Sequence, residues 1–148
     1  MTQRHWIQNG HMMFVTANTL HRRLTFKDPA KARLAVESIY QTQTRFPFFL
    51  FSFVVMPDHC HILLSVPDNG SISRIMHDYK RSVSFQLGEG PIWQPRFDCQ
   101  LVRNFHDVIP YIHANPVKAG LCEEVKDYLW SSASGKWDVI ALDFMGGF

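Results

Sequence analysis

The spacing of apolar and polar positions divides the chain into alternating extended and helical segments. Residues 11–17 form a Met, Phe, Val and Thr run after the turn signal Asn9-Gly10 and predict a first strand. Asp28-Pro29 supplies an N-cap and a proline at the first helical position, and Ala32, Ala35, Val36, Ile39 and Tyr40 repeat at helical spacing to about Thr44. Residues 48–56 are aromatic and β-branched, and they stop at Pro57-Asp58. Residues 59–66 resume as a strand, so the two runs predict a hairpin. After Pro67-Asp68-Asn69-Gly70, Ser71 caps a helix whose stripe is Ile72, Ile75, Met76, Tyr79, Val83 and Leu87. Gly88-Glu89-Gly90-Pro91 breaks that helix, residues 92–102 read as an irregular strand interrupted by Pro95, and Asn104 starts a last helix.

Strand, helix, strand, strand, helix, strand is the order of the ferredoxin-like split β-α-β. The predicted fold class is therefore α+β: an antiparallel sheet with two helices on one face, then a further helix and a tail over about 123–148. A chain of 148 residues and 17.2 kDa fits one domain over its whole length. Hydrophobic residues at 46%, with 12 Phe and 4 Trp, are enough for a sizeable core. The longest apolar run, 48–56, is interrupted by Ser52 and falls well short of the roughly 20 residues of a membrane span. Residues 1–6 do not read as a signal peptide, and Cys60, Cys99 and Cys122 are too few and too irregular for a disulfide framework, so a cytoplasmic thiol protein is expected. The net charge of +2 hides an asymmetry: residues 1–47 carry seven Lys/Arg against two Asp/Glu, and 107–148 carry three against six. A basic front half is compatible with a phosphate-bearing partner or with a plain solvated face.

Candidate chemistry concentrates in two places. The first is Met56-Pro57-Asp58-His59-Cys60-His61-Ile62-Leu63-Leu64. On a strand, alternate side chains share a face about 7 Å apart, so His59 and His61 can address one ion while Cys60 points away. Two half-buried structural histidines are the plainer reading of a lone His-x-His. A histidine-triad hydrolase would need a third histidine where Leu63 stands. A two-imidazole set leaves positions for a third side chain, water and phosphate oxygens, which suits Mg²⁺ or Mn²⁺ better than closed zinc. The second place is the segment after Asn104, where Tyr111 and Asn115 lie four apart and share a helix face. Pro110 either kinks a helix begun at Asn104 or starts the helix itself. His113, two residues from Tyr111, falls on another face and is a weak candidate base.

Four motifs in order resemble the REP-associated tyrosine transposases, a branch of the single-tyrosine HUH transposases. They are the His-Cys-His segment, Ile92-Trp93-Gln94-Pro95-Arg96-Phe97, the run from Tyr111-Ile112-His113-Ala114-Asn115-Pro116 to Leu121, and Tyr128-Leu129-Trp130-Ser131-Ser132. The resemblance implies a ferredoxin-like strand transferase that cleaves single-stranded DNA next to hairpins, the repetitive extragenic palindromes. It gives His59 and His61 the metal-ligand role, Tyr111 the nucleophile role and Asn115 the third ligand role, with Mg²⁺ or Mn²⁺ as cofactor and a 5′-phosphotyrosine intermediate. A phenol, with a pKa near 10 in isolation, is a poor nucleophile at neutral pH unless a metal makes the phosphate more electrophilic. Arg22, Arg23, Lys80, Arg81, Arg96 and Arg103 are candidate phosphate contacts, and Trp93 with Phe97 either stacks bases or packs the core. Tyr79 is an alternative nucleophile, although it stands on an apolar stripe. The protein is expected to act as a monomer or a homodimer. The tail, with Trp130, Trp137 and Phe148, docks on the body or covers the site. The rival reading is a non-catalytic nucleic-acid-binding module of the same fold.

Overall fold

The computed structural model describes residues 10–142; Asn9 of the expected turn, residues 1–6 and Phe148 of the tail lie outside them. Seven main elements follow one another: β1 (Met12–Asn18), α1 (Pro29–Arg45), β2 (Phe49–Met56), β3 (His59–Ser65), α2 (Ile72–Leu87), β4 (Asp98–Val102) and α3 (Phe105–Lys118). The strands form one antiparallel sheet in the order β2-β3-β1-β4, as the split β-α-β order requires. No helix among the described residues is long and apolar enough to cross a membrane.

The helices form where the local chemistry provides ends for them. Asp28 accepts a hydrogen bond from the Ala30 amide at 2.9 Å with Pro29 beginning the helix, and Ser71 accepts from the Arg74 amide at 3.3 Å. Gly88, at φ 65°, closes α2 in the left-handed conformation that favours glycine. Both helices pack on one face of the sheet, burying Ala35, Val36, Ile39, Ile75, Met76 and Val83 against Met13, Val15, Ile62 and Leu64. Tyr79 is 1% exposed, and its hydroxyl donates to the Ala35 carbonyl at 3.0 Å, which makes it a core residue and removes it as a nucleophile. Tyr79→Phe is expected to cost about 1 kcal/mol of stability in urea denaturation and to leave any covalent chemistry intact. A variant as stable as the wild type would contradict the bond's contribution.

Only residues 98–102 of the expected 92–102 strand pair in the sheet. Ile92 and Trp93 are buried because this stretch crosses the end of β1, bridging Thr19, and Trp93 packs between Phe26 and Tyr79. The hydrophobicity that resembled a strand is that of a loop plugging the core. The helix that begins after Asn104 runs unbroken through Pro110 and Pro116, with the Asn104 side chain accepting from the His106 amide at 3.1 Å. Pro110 removes a donor from the ladder without ending it.

α3 lies on the opposite sheet face from α1 and α2. Its Ile112, fully buried, packs with Val54, Met56 and Leu63, and Val108 and Ile109 fill in beside them. The described part of the tail, to residue 142, docks on the body. Trp130 and Trp137 pack onto the main core, the Tyr40 hydroxyl donates to the Asp138 carbonyl at 2.6 Å, and the Ile140 amide donates to the Leu50 carbonyl at 2.8 Å.

Candidate active site

Strand alternation sorts β3 by face. Cys60, Ile62 and Leu64 enter the core under α1 and α2, whereas Leu63 belongs to the cluster under α3, which puts His59 and His61 on the α3 face. Opposite them across the ladder stand Asn18 and Thr16 of β1 and Met56 and Val54 of β2. The two imidazole centres are 4.7 Å apart with their planes at 70°.

Each ring has its Nδ1 occupied. His59 Nδ1 lies 2.6 Å from Asp58 Oδ1, and a carboxylate only accepts, so Nδ1–H donates and Nε2 is the nitrogen left to face a ligand. His61 Nδ1 lies 2.8 Å from the Thr16 hydroxyl; donation from Nδ1 again leaves Nε2 with its lone pair. Arg22 braces this arrangement through Asp58, with Nη2 at 2.9 Å and Nε at 3.1 Å from Oδ2. Burial by itself would raise the Asp58 carboxyl, but the hydrogen bond and charge of His59, together with Arg22, outweigh it and hold the group below its usual value. Burial pushes His61 down to about 4, and His59 and Arg22 add to the shift, so at neutral pH it is the neutral imidazole a ligand must be. Arg22 (φ 52°) and His21 (φ 55°) both sit in the left-handed region, a strained turn tied down by the Thr19 hydroxyl, which donates towards the Arg23 and Asp58 carbonyls at 2.7 and 3.0 Å.

The tyrosine comes to this face from α3. Tyr111 is 48% exposed, its ring centre is 6.0 Å from that of His61, and it meets Phe14 edge to face at 6.0 Å. Lys118, two turns along, holds its ammonium 5.5 Å from the Tyr111 ring centre. Asn115 shares the helix face, but its amide nitrogen donates to the Tyr111 carbonyl at 2.9 Å. The structure therefore brings His59, His61 and Tyr111 together and leaves the Asn115 side chain folded on its own helix. Among the described residues no cluster of three or more His, Cys, Asp and Glu forms a ready cation site.

The donor set fits a divalent ion all the same. A ring nitrogen about 2.1 Å from an ion puts the ring centre roughly 3.2 Å away, and two such rings at right angles stand roughly 4.5 Å apart. The 4.7 Å between the two ring centres is compatible with that spacing. Both second nitrogens are held by oxygen partners, as in metal-binding histidines generally.

The proposed phosphate contacts divide by face. Arg22 stands beside His59, Arg23 follows it, and Arg103 precedes the cap of α3; all three are exposed. Lys80, Arg81 and Arg96 line a groove of about 1030 Å³ between α2 and residues 91–97, with Arg74 and His77 beside them. Lys80 is occupied there, its ammonium donating to the Gln94 and Arg96 carbonyls at 2.6 and 3.2 Å. Trp93 is 8% exposed and its indole nitrogen donates to the Lys80 carbonyl at 3.0 Å, so it packs the core and is not available to stack a base. Two partners escaped the sequence reading. Thr16 is, with Asn18, one of two polar positions on a β1 face otherwise lined by Met12 and Phe14, a signal that needs the strand register to be used, and Asp58 stands next to the first histidine.

A ferredoxin-like sheet bearing two histidines on alternate positions of one central strand, faced by a half-exposed tyrosine from a helix across it, defines the single-tyrosine HUH class. Within that class the chain belongs to the family described as Transposase IS200 like, which it matches over residues 5–115. It is similar to the REP-associated tyrosine transposase of Escherichia coli (strain K12), 29% identical over 134 residues that cover 88% of this chain and 80% of that one. A solved REP-associated tyrosine transposase, bound to a REP hairpin, superimposes with a TM-score of 0.78 at 27% identity, covering 93% of this chain and 88% of the other. A Deinococcus radiodurans crystal structure shares the fold alone, with a TM-score of 0.55 at 18% identity over 76% of this chain and 95% of that one.

Proposed function

We propose that this transposase breaks and rejoins single-stranded DNA next to hairpins, with Tyr111 taking the 5′-phosphate of the cleaved strand and releasing a 3′-hydroxyl. The reading rests above all on the approach of the Tyr111 ring to the paired histidines on one sheet face. It draws further support from the hairpin held by the similar solved transposase. His59 and His61 would hold Mg²⁺ or Mn²⁺, with Asn115 as third ligand once its amide leaves the Tyr111 carbonyl. An ion held there would supply Lewis-acid polarisation of the scissile phosphate.

The chain's own residues supply orientation and charge. Asp58 and Thr16 fix the imidazole orientations, so the two rings need no reorganisation when a ligand arrives. Arg22, Arg23 and Arg103 hold the backbone phosphates on either side of the break. Lys118 offers a cation near the phosphate that Tyr111 receives. Exchange of one phosphodiester for another keeps the bond energy in the protein–DNA link, so a second 3′-hydroxyl can reverse the step without ATP. The approach of Tyr111 to His61 within one chain supports a monomer as the working unit.

Incubation with single-stranded hairpin DNA and Mn²⁺, followed by denaturing electrophoresis, is expected to show a covalent protein–DNA band. Hairpin binding without any adduct across varied hairpins would instead mark a non-catalytic binding module. On the reading that one chain supplies both the histidines and the tyrosine, mixing Tyr111→Phe with His61→Ala chains is expected to restore no adduct. Recovery of a substantial fraction of wild-type yield would show that the site is shared between two copies.

A further inference from the structure

The Tyr128-Leu129-Trp130-Ser131-Ser132 segment has no part in the site as described, yet its placement is tightly specified. It lies along the free edge of β2: the Val55 amide donates to the Trp130 carbonyl at 2.8 Å, the Tyr128 hydroxyl donates to the Val55 carbonyl at 2.7 Å, and Val54 bridges Ser131. The Phe53 amide, which an edge strand would leave open, donates to the Ser132 hydroxyl at 3.0 Å. That hydroxyl also lies 2.9 Å from His113 Nε2, and the hydroxyl of Ser52, fully buried, lies 3.1 Å from the same nitrogen. A register shift between Leu50 and Ser52 explains the aim of Ser52. Phe51 packs on the α3 side, and the extra residue turns Ser52 to that side too, in phase with Val54 and Met56.

The packing of α3 on the sheet through Val108, Ile109 and Ile112 is apolar, and apolar contact is non-directional, so it resists rotation and sliding weakly. The half-buried His113 nitrogen, met by two buried hydroxyls that lie 3.2 Å from each other, behaves differently, because hydrogen bonds are directional and a rotation of α3 would pull the imidazole off both hydroxyls. At about 100° per residue, His113 is roughly 200° around the helix from Tyr111. Pinning His113 over β2 therefore fixes the direction in which Tyr111 leaves the opposite side.

We propose that His113, held by Ser52 and Ser132, is a positioning residue for strand transfer: it sets the rotation of α3 that keeps the Tyr111 hydroxyl on the histidine face. The inference rests on the reading of Tyr111 as nucleophile, and two readouts separate the two. In single-turnover assays at saturating hairpin DNA with Mn²⁺, His113→Ala and Ser132→Ala are expected to slow adduct formation by roughly tenfold or more while the hairpin Kd changes by less than about twofold. His113→Gln, whose amide can address both hydroxyls, recovers part of the rate, and the His113→Ala/Ser132→Ala double variant is no slower than the worse single one. Independently of activity, the nuclear Overhauser contact between the Tyr111 and Phe14 rings weakens in both alanine variants. An unchanged rate in either alanine variant overturns the proposal, as does a loss of rate matched by equal loss of hairpin affinity or melting temperature without rescue by His113→Gln. Should the wild type form no adduct, the nucleophile reading fails, and a ring contact that persists in His113→Ala overturns the positioning role as well.

Discussion

Tyr111→Phe is expected to form no covalent protein–DNA adduct with any hairpin substrate, a loss of at least about a thousandfold, while binding the same DNA within about twofold of the wild type. The substitution removes one oxygen. That ring keeps its edge-to-face contact with Phe14 and its place near His61, neither of which involves the hydroxyl. Stability should hardly change, because the side chain is half exposed and no core contact is lost. The split between intact binding and absent chemistry is what distinguishes a nucleophile from a surface residue that merely touches DNA. Residual adduct in Tyr111→Phe would send the search to Tyr128. That choice would be difficult to defend, since burial pushes the Tyr128 phenol up to about 12 and its hydroxyl already donates to the Val55 carbonyl.

His61→Ala is expected to reduce Mn²⁺ affinity and adduct yield by roughly a hundredfold or more, since the proposed function makes it one of two imidazole ligands. Calorimetric titration of Mn²⁺ and the gel assay report the two effects separately. Thr16→Val should show the same pattern more weakly, because it frees the His61 ring without removing it. The pH dependence carries a definite sign. In the unfolded chain a histidine takes up its proton near pH 6.5, whereas burial, His59 and Arg22 keep folded His61 neutral down to about 4. The unfolded state binds more protons in that window, so stability contributed by this group falls as pH drops from about 6.5 towards 4. His113, also lowered by burial, acts in the same direction. Denaturation midpoints that rise on acidification through this range would contradict the placement of both rings.

The extent to which the sequence disclosed this arrangement follows from which signals are local. α1 and α2 are bounded by caps whose chemistry is readable one residue at a time, and the Asp28 and Ser71 caps form as expected. Period-two alternation put Cys60 on the face opposite His59 and His61, since the pleat leaves no other choice. Non-local facts stayed hidden. Whether Ile92 and Trp93 pair in a sheet or plug its end depends on β1 and α2, not on their own hydrophobicity. The shift at Ser52 inverts the phase of β2 without a glycine or proline to announce it. Pro110 leaves two readings open in the sequence, a kink in a helix begun at Asn104 or the start of the helix, and α3 begins at the Asn104 cap and carries Pro110 within a layer of apolar contacts made by Val108, Ile109 and Ile112. The Asn115 amide shares a face with Tyr111 as the spacing required, yet sharing a face does not decide which acceptor it selects, and it selects the Tyr111 carbonyl.

Proteolysis of the covalent complex and mass spectrometry of the DNA-bearing peptide put the whole arrangement to the most direct test. The DNA should be found on Tyr111 through its 5′-phosphate, in a complex that forms with Mn²⁺ and not in EDTA. Attachment to any other side chain, or undiminished formation in EDTA, would contradict a tyrosine working against a metal held by His59 and His61.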